Sequence, residues 1–349
     1  MKIALITDTH FGARGDHAAF DRYFKKFYEQ SFFPTLDERG IRNVIHLGDM
    51  FDRRKYINYL TLNNCREYFF DPLRDRKIRL DVIVGNHDVF YKNTNEINSP
   101  ELLLADYDNI TPYSDPVELT YAGSDILMLP WICADNYQEV MGMIADTRAE
   151  ICFGHLEIAG FQMYKGHKND HGFDATLFNR FDLVCSGHFH HRSTSGNITY
   201  LGNPYELTWA DYQDPRGFHI FDTETRELEF ICNPNNIFHK IFYTDNFELK
   251  NYDHLEDCFV KIINQSKQSS VVLDMLVDRL EKSNVADLQI VDDHHHLDLQ
   301  DDQEIVEDAE DTLSLLTKFC NQLDTNVDKI KLDSLMKNLY NEALDLESN

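Results

Sequence analysis

The sequence predicts a layered α/β fold with its functional groups gathered at strand ends. Short β-branched apolar runs recur through the first half of the 349-residue chain, helical stretches separate the first of them, and each run closes on metal-competent polar residues. Such near-continuous apolar runs suit strands covered on both faces. Helices between them give the spacing of βαβ crossovers, and open α/β sheets bind ligands beyond their strand ends.

In chain order the runs are KIALITD (Lys2 to Asp8), NVIHLGD (Asn43 to Asp49), LDVIVGN (Leu80 to Asn86), AEICFGH (Ala149 to His155) and DLVCSGH (Asp182 to His188). Helical stretches at about 17–31 and 58–72 lie between the first three. After His190 the runs shorten, with turns between Asn197–Asn203, Gly217–Thr223 and Glu227–Asn233, a pattern that predicts antiparallel pairing.

From about residue 245 the character changes. A mixed segment over 253–291 holds a helix around 271–281, and the acidic stretch 292–302, with His294, His295 and His296, reads as a solvated linker. Two amphipathic stretches follow, 303–323 with Ile305, Ala309, Leu313, Leu316 and Cys320, and 328–346 with Ile330, Leu332, Leu335, Leu339 and Leu346. Neither can form a core alone, so together they call for a partner surface. The organisation expected is a main domain over 1–244, a capping domain over 245–291, a linker over 292–302 and a helical segment over 303–349.

Hydrophobic residues make up 42% of the chain, enough for a sizeable core. No apolar run approaches the roughly 20 residues that span a bilayer, and the N-terminus enters a strand at once, so no membrane association and no signal peptide are expected. The chain should stay in the cytoplasm. Seven cysteines, with no C-x-x-C pair, read as reduced core thiols.

The net charge of −27 argues at first against a polyanionic substrate. Its distribution is uneven, however, because residues 241–349 alone carry 25 acidic against 9 basic residues. Between Arg53 and Arg79 the sign reverses: Arg53, Arg54, Lys55, Arg66, Arg74, Arg76, Lys77 and Arg79 face only Glu67, Asp71 and Asp75. This strip reads either as a solvated helix face or as a contact for DNA, with Arg53, Arg54 and Lys55 best placed. Tyr56, Tyr59, Tyr68, Phe69 and Phe70 in the same segment could stack on bases or line a seam, and for Phe69 and Phe70 a seam or core is expected.

The strand-end clusters are Asp8-Thr9-His10, Gly48-Asp49-Met50-Phe51-Asp52, Gly85-Asn86-His87-Asp88, Gly154-His155 and Gly187-His188-Phe189-His190. One such cluster means little, but five in order, each closing an apolar run, crowd carboxylates and imidazoles that would be costly together without cations. Two divalent ions can activate water and stabilise charge developing on a phosphoryl group. A carboxylate suits the position between them, and Asp49 is the best candidate. Imidazole and carboxylate without thiolate favour Mn²⁺, Fe²⁺ or Zn²⁺ over an all-oxygen calcium cage. The glycines at 48, 85, 154 and 187 read as sharp turns that deliver each ligand. His46, inside an apolar run, reads as a core histidine, and His167 and His171 as residues of a solvated loop or, alternatively, as substrate contacts.

DTH, GDMFD, GNHD, GH and GHFH together resemble the signature of the calcineurin-like metallophosphoesterases over roughly residues 1–230. Within that superfamily the chain is similar to the SbcD-type double-strand-break repair nucleases, above all the recombination endonuclease subunits of T4-like bacteriophages. GDMFD, the long charged insert before the third motif, and Gly202 to Asp222 carry this finer likeness. The resemblance implies an α/β/β/α sandwich with a small C-terminal α+β cap and a helical tail. It implies one metal on Asp8, His10, Asp49 and His190, and another on Asp49, Asn86, His155 and His188, with Mn²⁺ expected and Mg²⁺ the alternative.

His87 would contact the scissile phosphate or protonate the leaving oxygen, a role imidazole can fill near neutral pH. Asp88 would orient His87 from behind. Position 52 departs from cellular relatives, which have histidine there. The resemblance further implies 3′ to 5′ exonuclease and single-strand endonuclease activity in DNA repair, recombination and replication. It also implies a homodimer within a heterotetramer, with the C-terminal helices docked on an ABC-type coiled-coil ATPase of the SbcC kind. The rival readings are a protein phosphatase or small-nucleotide phosphodiesterase on the same scaffold, and a non-catalytic interaction module.

Overall fold

The computed structural model describes residues 1–266 and 271–292. The acidic linker with its histidine triplet and the two amphipathic stretches lie outside the described residues. Met1–Leu207 and the described residues from Asp211 onward form one compact unit.

In chain order the strands of the main body are β1 (Lys2–Ile6), β2 (Asn43–His46), β3 (Arg79–Ile83), β4 (Ile110–Tyr113), β5 (Val117–Tyr121), β6 (Ser124–Leu129) and β7 (Ile151–His155). They continue with the hairpin β8 (Gln162–Tyr164) and β9 (His167–Lys168), then β10 (Leu183–Gly187), β11 (Ser193–Ser195), β12 (Ile198–Tyr200), β13 (Gly217–Asp222) and β14 (Leu228–Cys232). Two six-stranded sheets result, ordered β14-β13-β1-β2-β3-β4 and β11-β12-β10-β7-β6-β5. The five apolar runs read from the sequence are strands β1, β2, β3, β7 and β10. They run parallel to their neighbours within each sheet, apart from β1 against β13.

The sheets face each other. Ile3, Leu5, Ile45, Leu47 and Ile83 from one meet Ile126, Met128, Ile151, Phe153 and Cys185 from the other in a single buried core. Because strand side chains alternate faces, the remaining apolar residues point outward and need helices. On the first sheet these are α1 (Ala18–Phe27) and α2 (Phe33–Arg39), joined by the wider π-helical turn Tyr28–Phe32, then α3 (Tyr59–Cys65) and α4 (Asp71–Asp75), joined likewise by Arg66–Phe70. The ring of His17 caps α1 by accepting from the Ala19 N–H at 3.2 Å, and Gly40 ends α2 in the left-handed conformation at φ 64°. Phe27 and Phe32 pack on Phe218 of β13 at ring separations of 6.1 and 4.9 Å. After the short α5 (Ser99–Leu103), α6 (Tyr137–Asp146) lays Val140 and Ile144 on Leu127, Leu129, Cys152 and Val184 of the second sheet. The layers are helix, sheet, sheet, helix, as the resemblance implies.

Several details differ from the sequence reading or decide between alternatives it left open. The run at Asn197–Asn203 pairs parallel with β10 through β12, and its antiparallel partner is the short β11. Phe69 and Phe70 are fully buried, packed on Phe11, Tyr28 and one another, so they belong to the core. Five of the six described cysteines are buried free thiols, but Cys232 is exposed. The small C-terminal sheet, β15 (Phe238–Tyr243), β16 (Phe259–Asn264) and β17 (Asp287–Asp292), is parallel and starts upstream of residue 245. Its core combines Val260 and Ile262 with Leu276 and Leu280 of α7 (Val271–Lys282). No helix among the described residues is long and apolar enough to cross a membrane.

Candidate active site

Parallel pairing puts the C-terminal ends of β1, β2 and β3 on one edge of the first sheet, and those of β7 and β10 on one edge of the second. The two edges meet, with the His188 N–H donating to both Asp8 carboxylate oxygens at 3.1 Å. Two constellations of donor atoms follow: Asp8, His10 and His190, and beside them Asp49, His155 and His188. Asn86 joins the second, its Oδ1 lying 2.9 Å from both His155 Nε2 and His188 Nδ1. Asp49 Oδ2 lies between the two, 3.3 Å from His155 Nε2 and 3.9 Å from His10 Nε2. All seven residues expected to hold metal therefore converge.

The outer ring nitrogens set the inner ones. His155 Nδ1 sits 2.7 Å from the Leu47 carbonyl and donates to it, which turns Nε2 inward to face Asp49 Oδ2 and Asn86 Oδ1, as the ring nitrogen open to a metal ion once its proton is displaced. His10 Nδ1 faces Asp52 Oδ1 at 3.5 Å, and its Nε2 stands 3.1 Å from His190 Nε2. His87 lies in neither constellation. Its backbone N–H donates to Asp49 Oδ1 at 2.7 Å, and its Nδ1 donates to the Asp52 carbonyl at 2.7 Å, leaving Nε2 for a further partner. Trp131 walls the other side, its ring 5.3 Å from that of His188.

The electrostatics describe a site short of positive charge. Burial pushes His10 down, but hydrogen bonding to Asp52 and the charges of Asp49 and Asp8 outweigh it and lift the imidazole to about 10. His155 rises to about 9, because Asp49 and Asp8 overcome its burial. Asp49 is held well below the carboxylate range, its burial outweighed by His155, His87 and His10. Burial raises Asp8, with His155 and Asp49 acting in opposite senses. Burial and then the charge on His155 lower His188 to about 3, while burial and then His10 lower His190. Protons on two imidazoles balance buried carboxylates here, a balance that divalent cations on the same oxygen and nitrogen donors would take over. The donor set of carboxylates, imidazoles and one amide oxygen, without thiolate, fits such ions.

The model for the calcineurin-like phosphoesterase family matches residues 1–192. The chain belongs to that family. It is 34% identical over 348 residues, 98% of this chain and 99% of the other, to the protein named exonuclease subunit 1 of Enterobacteria phage T4. Among solved structures it is similar to one described as a novel archaeal phosphodiesterase, with 16% identity and a TM-score of 0.33 over 66% of this chain and 99% of the other. A hypothetical protein from Thermus thermophilus is comparable, with 14% identity and a TM-score of 0.36 over 66% and 97% of the two chains.

Within this phosphoesterase site, Asp88 has a different place from the one expected. Its Oδ1 accepts from the Met50 and Phe51 amides at 3.0 and 3.1 Å and its Oδ2 from the Gly85 amide at 2.9 Å, so it ties the second motif loop to the third. The carbonyl of Asp52, not the carboxylate of Asp88, orients His87. Burial and then Asp49 raise the Asp88 carboxyl to about 6. Asp88→Ala leaves three buried amides without their acceptor and should cost at least about 3 kcal/mol at 1–3 kcal/mol per orphaned group. Urea unfolding of the metal-free protein measures this, and a loss under about 1 kcal/mol would contradict the tie.

The glycines also act differently. Gly48 alone of the four takes positive φ, at 91°, whereas Asp8, His10, Asp49 and His188 themselves adopt φ of 52°, 42°, 54° and 85°. Such strain in non-glycine residues persists where the surrounding structure enforces it. Gly85 and Gly187 are there for close approach, since a Cβ would lie 2.2 Å from Asp49 Oδ1 and 2.0 Å from Thr7 Oγ1, respectively. His46 is fully buried, with Nε2 3.0 Å from Thr9 Oγ1.

The basic strip is largely neutralised by the fold. Arg53 pairs with Asp16 at 2.7 Å, Arg74 with Asp71 at 3.0 Å, Arg76 with Asp37 at 3.0 Å and Arg79 with Asp81 at 2.7 Å. Arg66 donates to the Leu103 carbonyl at 2.9 Å. Asp71 and Asp81 share an element with their partners, whereas Asp16 and Asp37 come from segments far along the chain, which a linear charge count does not register. Lys55 and Tyr56 are exposed beside Asp52, with the Arg53 guanidinium 5.0 Å from the Tyr56 ring centre.

Proposed function

We propose that this chain is a metal-dependent DNA nuclease, with 3′ to 5′ exonuclease and single-strand endonuclease activity, working with an SbcC-type ABC ATPase in double-strand-break repair, recombination and replication. The observation that carries the reading is the convergence of Asp8, His10, Asp49, Asn86, His155, His188 and His190 beside an unliganded His87, in a chain aligned end to end with a phage exonuclease subunit.

Asp8, His10, Asp49 and His190 hold one divalent ion and Asp49, Asn86, His155 and His188 the other, with Mn²⁺ preferred and Mg²⁺ able to substitute. When bound, two such ions supply water activation and neutralisation of charge on the phosphoryl group. His87, oriented through its Nδ1, presents Nε2 to the scissile phosphodiester and donates a hydrogen bond or proton to the departing oxygen. Asp88 holds the His87 loop in register with Asp49. Arg53, Arg54 and Lys55 follow Asp52 directly and receive the flanking phosphates, with Arg53 exchanging Asp16 for the strand.

The domain plan we propose is a nuclease body and a small parallel-sheet cap, followed by the acidic stretch over 292–302 and an ATPase-docking segment over 303–349. Pairing of two copies is supported by exposed apolar side chains in the nuclease body, where Tyr59, Leu60 and Leu102 are 88%, 65% and 70% exposed.

The test is hydrolysis of end-labelled duplex and single-stranded DNA with Mn²⁺ or Mg²⁺, with and without the co-expressed ATPase, beside a small phosphomonoester. Strand cleavage that depends on the metal is the expected result. Turnover of the phosphomonoester with DNA left intact in every arm would replace this reading with a phosphatase.

A further inference from the structure

The stretch from Gly202 to Arg216 braces two loops that carry candidate ligands, from behind. Tyr205, fully buried, donates its hydroxyl to the Thr9 carbonyl at 2.5 Å, midway between Asp8 and His10. On the other side the His190 carbonyl accepts from the Asn203 N–H at 3.3 Å and from Nη1 of Arg216. The two backbones are in contact there, since a Cβ on Gly202, at φ 71°, would lie 2.8 Å from the His190 carbonyl oxygen.

Arg216 is only 5% exposed. Its Nη1 also donates to Asn203 Oδ1 at 2.5 Å, and its Nη2 donates to Asp211 Oδ1 at 2.6 Å and Asp214 Oδ2 at 2.8 Å. Asp214 Oδ2 in turn faces His191 Nδ1 at 2.7 Å. A buried guanidinium between two carboxylates is a weak stabiliser, because well-packed apolar residues of similar volume do as well or better. What an ionic cluster offers instead is geometry, since a planar fork with several engaged donors holds its acceptors in fixed directions. Here one of those acceptors is the main chain of a candidate metal ligand, and the neighbouring side chain, His191, is tied to the same cluster.

We propose that Arg216 is a positioning residue: by fixing the His190 carbonyl and, through Asp214, the His191 ring, it aims the His190 imidazole at the ion shared with Asp8 and His10. The inference rests on the ion-binding reading above. It assigns Arg216 chiefly to one of the two ions, because its hydrogen bonds reach the backbone of His190 itself; of the other ion's ligands, Asn86 and His155 lie on loops it does not hold, and His188, though on the same loop, has its own anchor in the Asp8 carboxylate.

Mn²⁺ titration of the full-length protein by calorimetry and electron paramagnetic resonance tests this, using wild type, Arg216→Gln, Arg216→Lys, Asp214→Asn and, as reference, His190→Ala. Wild type should bind two ions. Arg216→Gln should weaken one of them about 10–100-fold, the range for outer partners of metal ligands, and leave the other within about twofold. Arg216→Lys should fall between wild type and Arg216→Gln. The ion affected should be the one lost in His190→Ala, so that the double variant shows no further loss at that ion. If Arg216→Gln does not fold, Asp214→Asn, which keeps the guanidinium but loosens one anchor, should weaken the same ion.

A folded Arg216→Gln with both affinities unchanged, or with both ions weakened equally, overturns the assignment. So does an unchanged Asp214→Asn when Arg216→Gln cannot be obtained. Failure of wild type to bind any Mn²⁺ instead sinks the ion-binding reading on which the assignment rests.

Discussion

His87→Ala is expected to lower kcat for DNA cleavage by about 10²–10⁴-fold, the usual contribution of a positioned acid or base, while two Mn²⁺ ions still bind. The reason is positional. His87 belongs to neither donor constellation, yet its backbone amide donates to Asp49 at 2.7 Å and its ring packs edge-on against His10 at 4.9 Å. Its Nδ1 is engaged by the Asp52 carbonyl, so only Nε2 is left to meet a substrate. Single-turnover cleavage with saturating metal, run beside a Mn²⁺ titration, separates chemistry from binding. Loss of activity together with loss of metal would make His87 a ligand or a structural residue. Unchanged cleavage would remove it from the chemistry.

The second large effect is expected at Asp49. Its carboxylate is 2% exposed, lies between the two histidine pairs and accepts the His87 amide. Asp49→Asn keeps the shape and an oxygen acceptor for that amide but removes the charge that two cations would share. It should reduce Mn²⁺ stoichiometry from two to at most one. Cleavage should fall by at least on the order of 10³-fold, since loss of one electrostatic partner alone costs 10²–10³. A ligand that binds only the folded state raises its melting temperature, so Mn²⁺ should stabilise wild type and raise the melting point of Asp49→Asn far less. Equal stabilisation of both proteins would show that Asp49 is not shared between ions.

The candidate ligand set was legible because of how parallel strands work. Each of β1, β2, β3, β7 and β10 is an apolar run covered on both faces, and each ends on the same edge as its neighbours, so polar clusters at successive run ends had to meet. Asp8 and His188, 180 residues apart, are joined by hydrogen bonds for that reason. The edge strand β5 was less visible, because it alternates half-buried and exposed positions with no continuous apolar run.

The basic strip carries less free charge than the sequence suggests, for the opposite reason. Charge along a sequence is local, whereas Asp16 and Asp37, which neutralise Arg53 and Arg76, come from other elements. Asp88 was placed on the wrong neighbour because adjacency in the GNHD motif says nothing about which backbone amides lie within its reach. The amides that bond it belong to Met50, Phe51 and Gly85.

By itself, then, the sequence determined the layered α/β class, the strand-end position of the seven candidate ligands and His87, and the likeness to phosphoesterases, since residue type and periodicity are local properties carried by each strand. Only the tertiary structure decided what holds those residues: the Asp52 carbonyl behind His87, the Leu47 carbonyl behind His155, the tie made by Asp88 and the Arg216 brace behind His190. Those are hydrogen bonds to main-chain groups, and a main-chain carbonyl or amide is the same in every residue. Where it lies in space depends on the packed fold and leaves no mark in residue type.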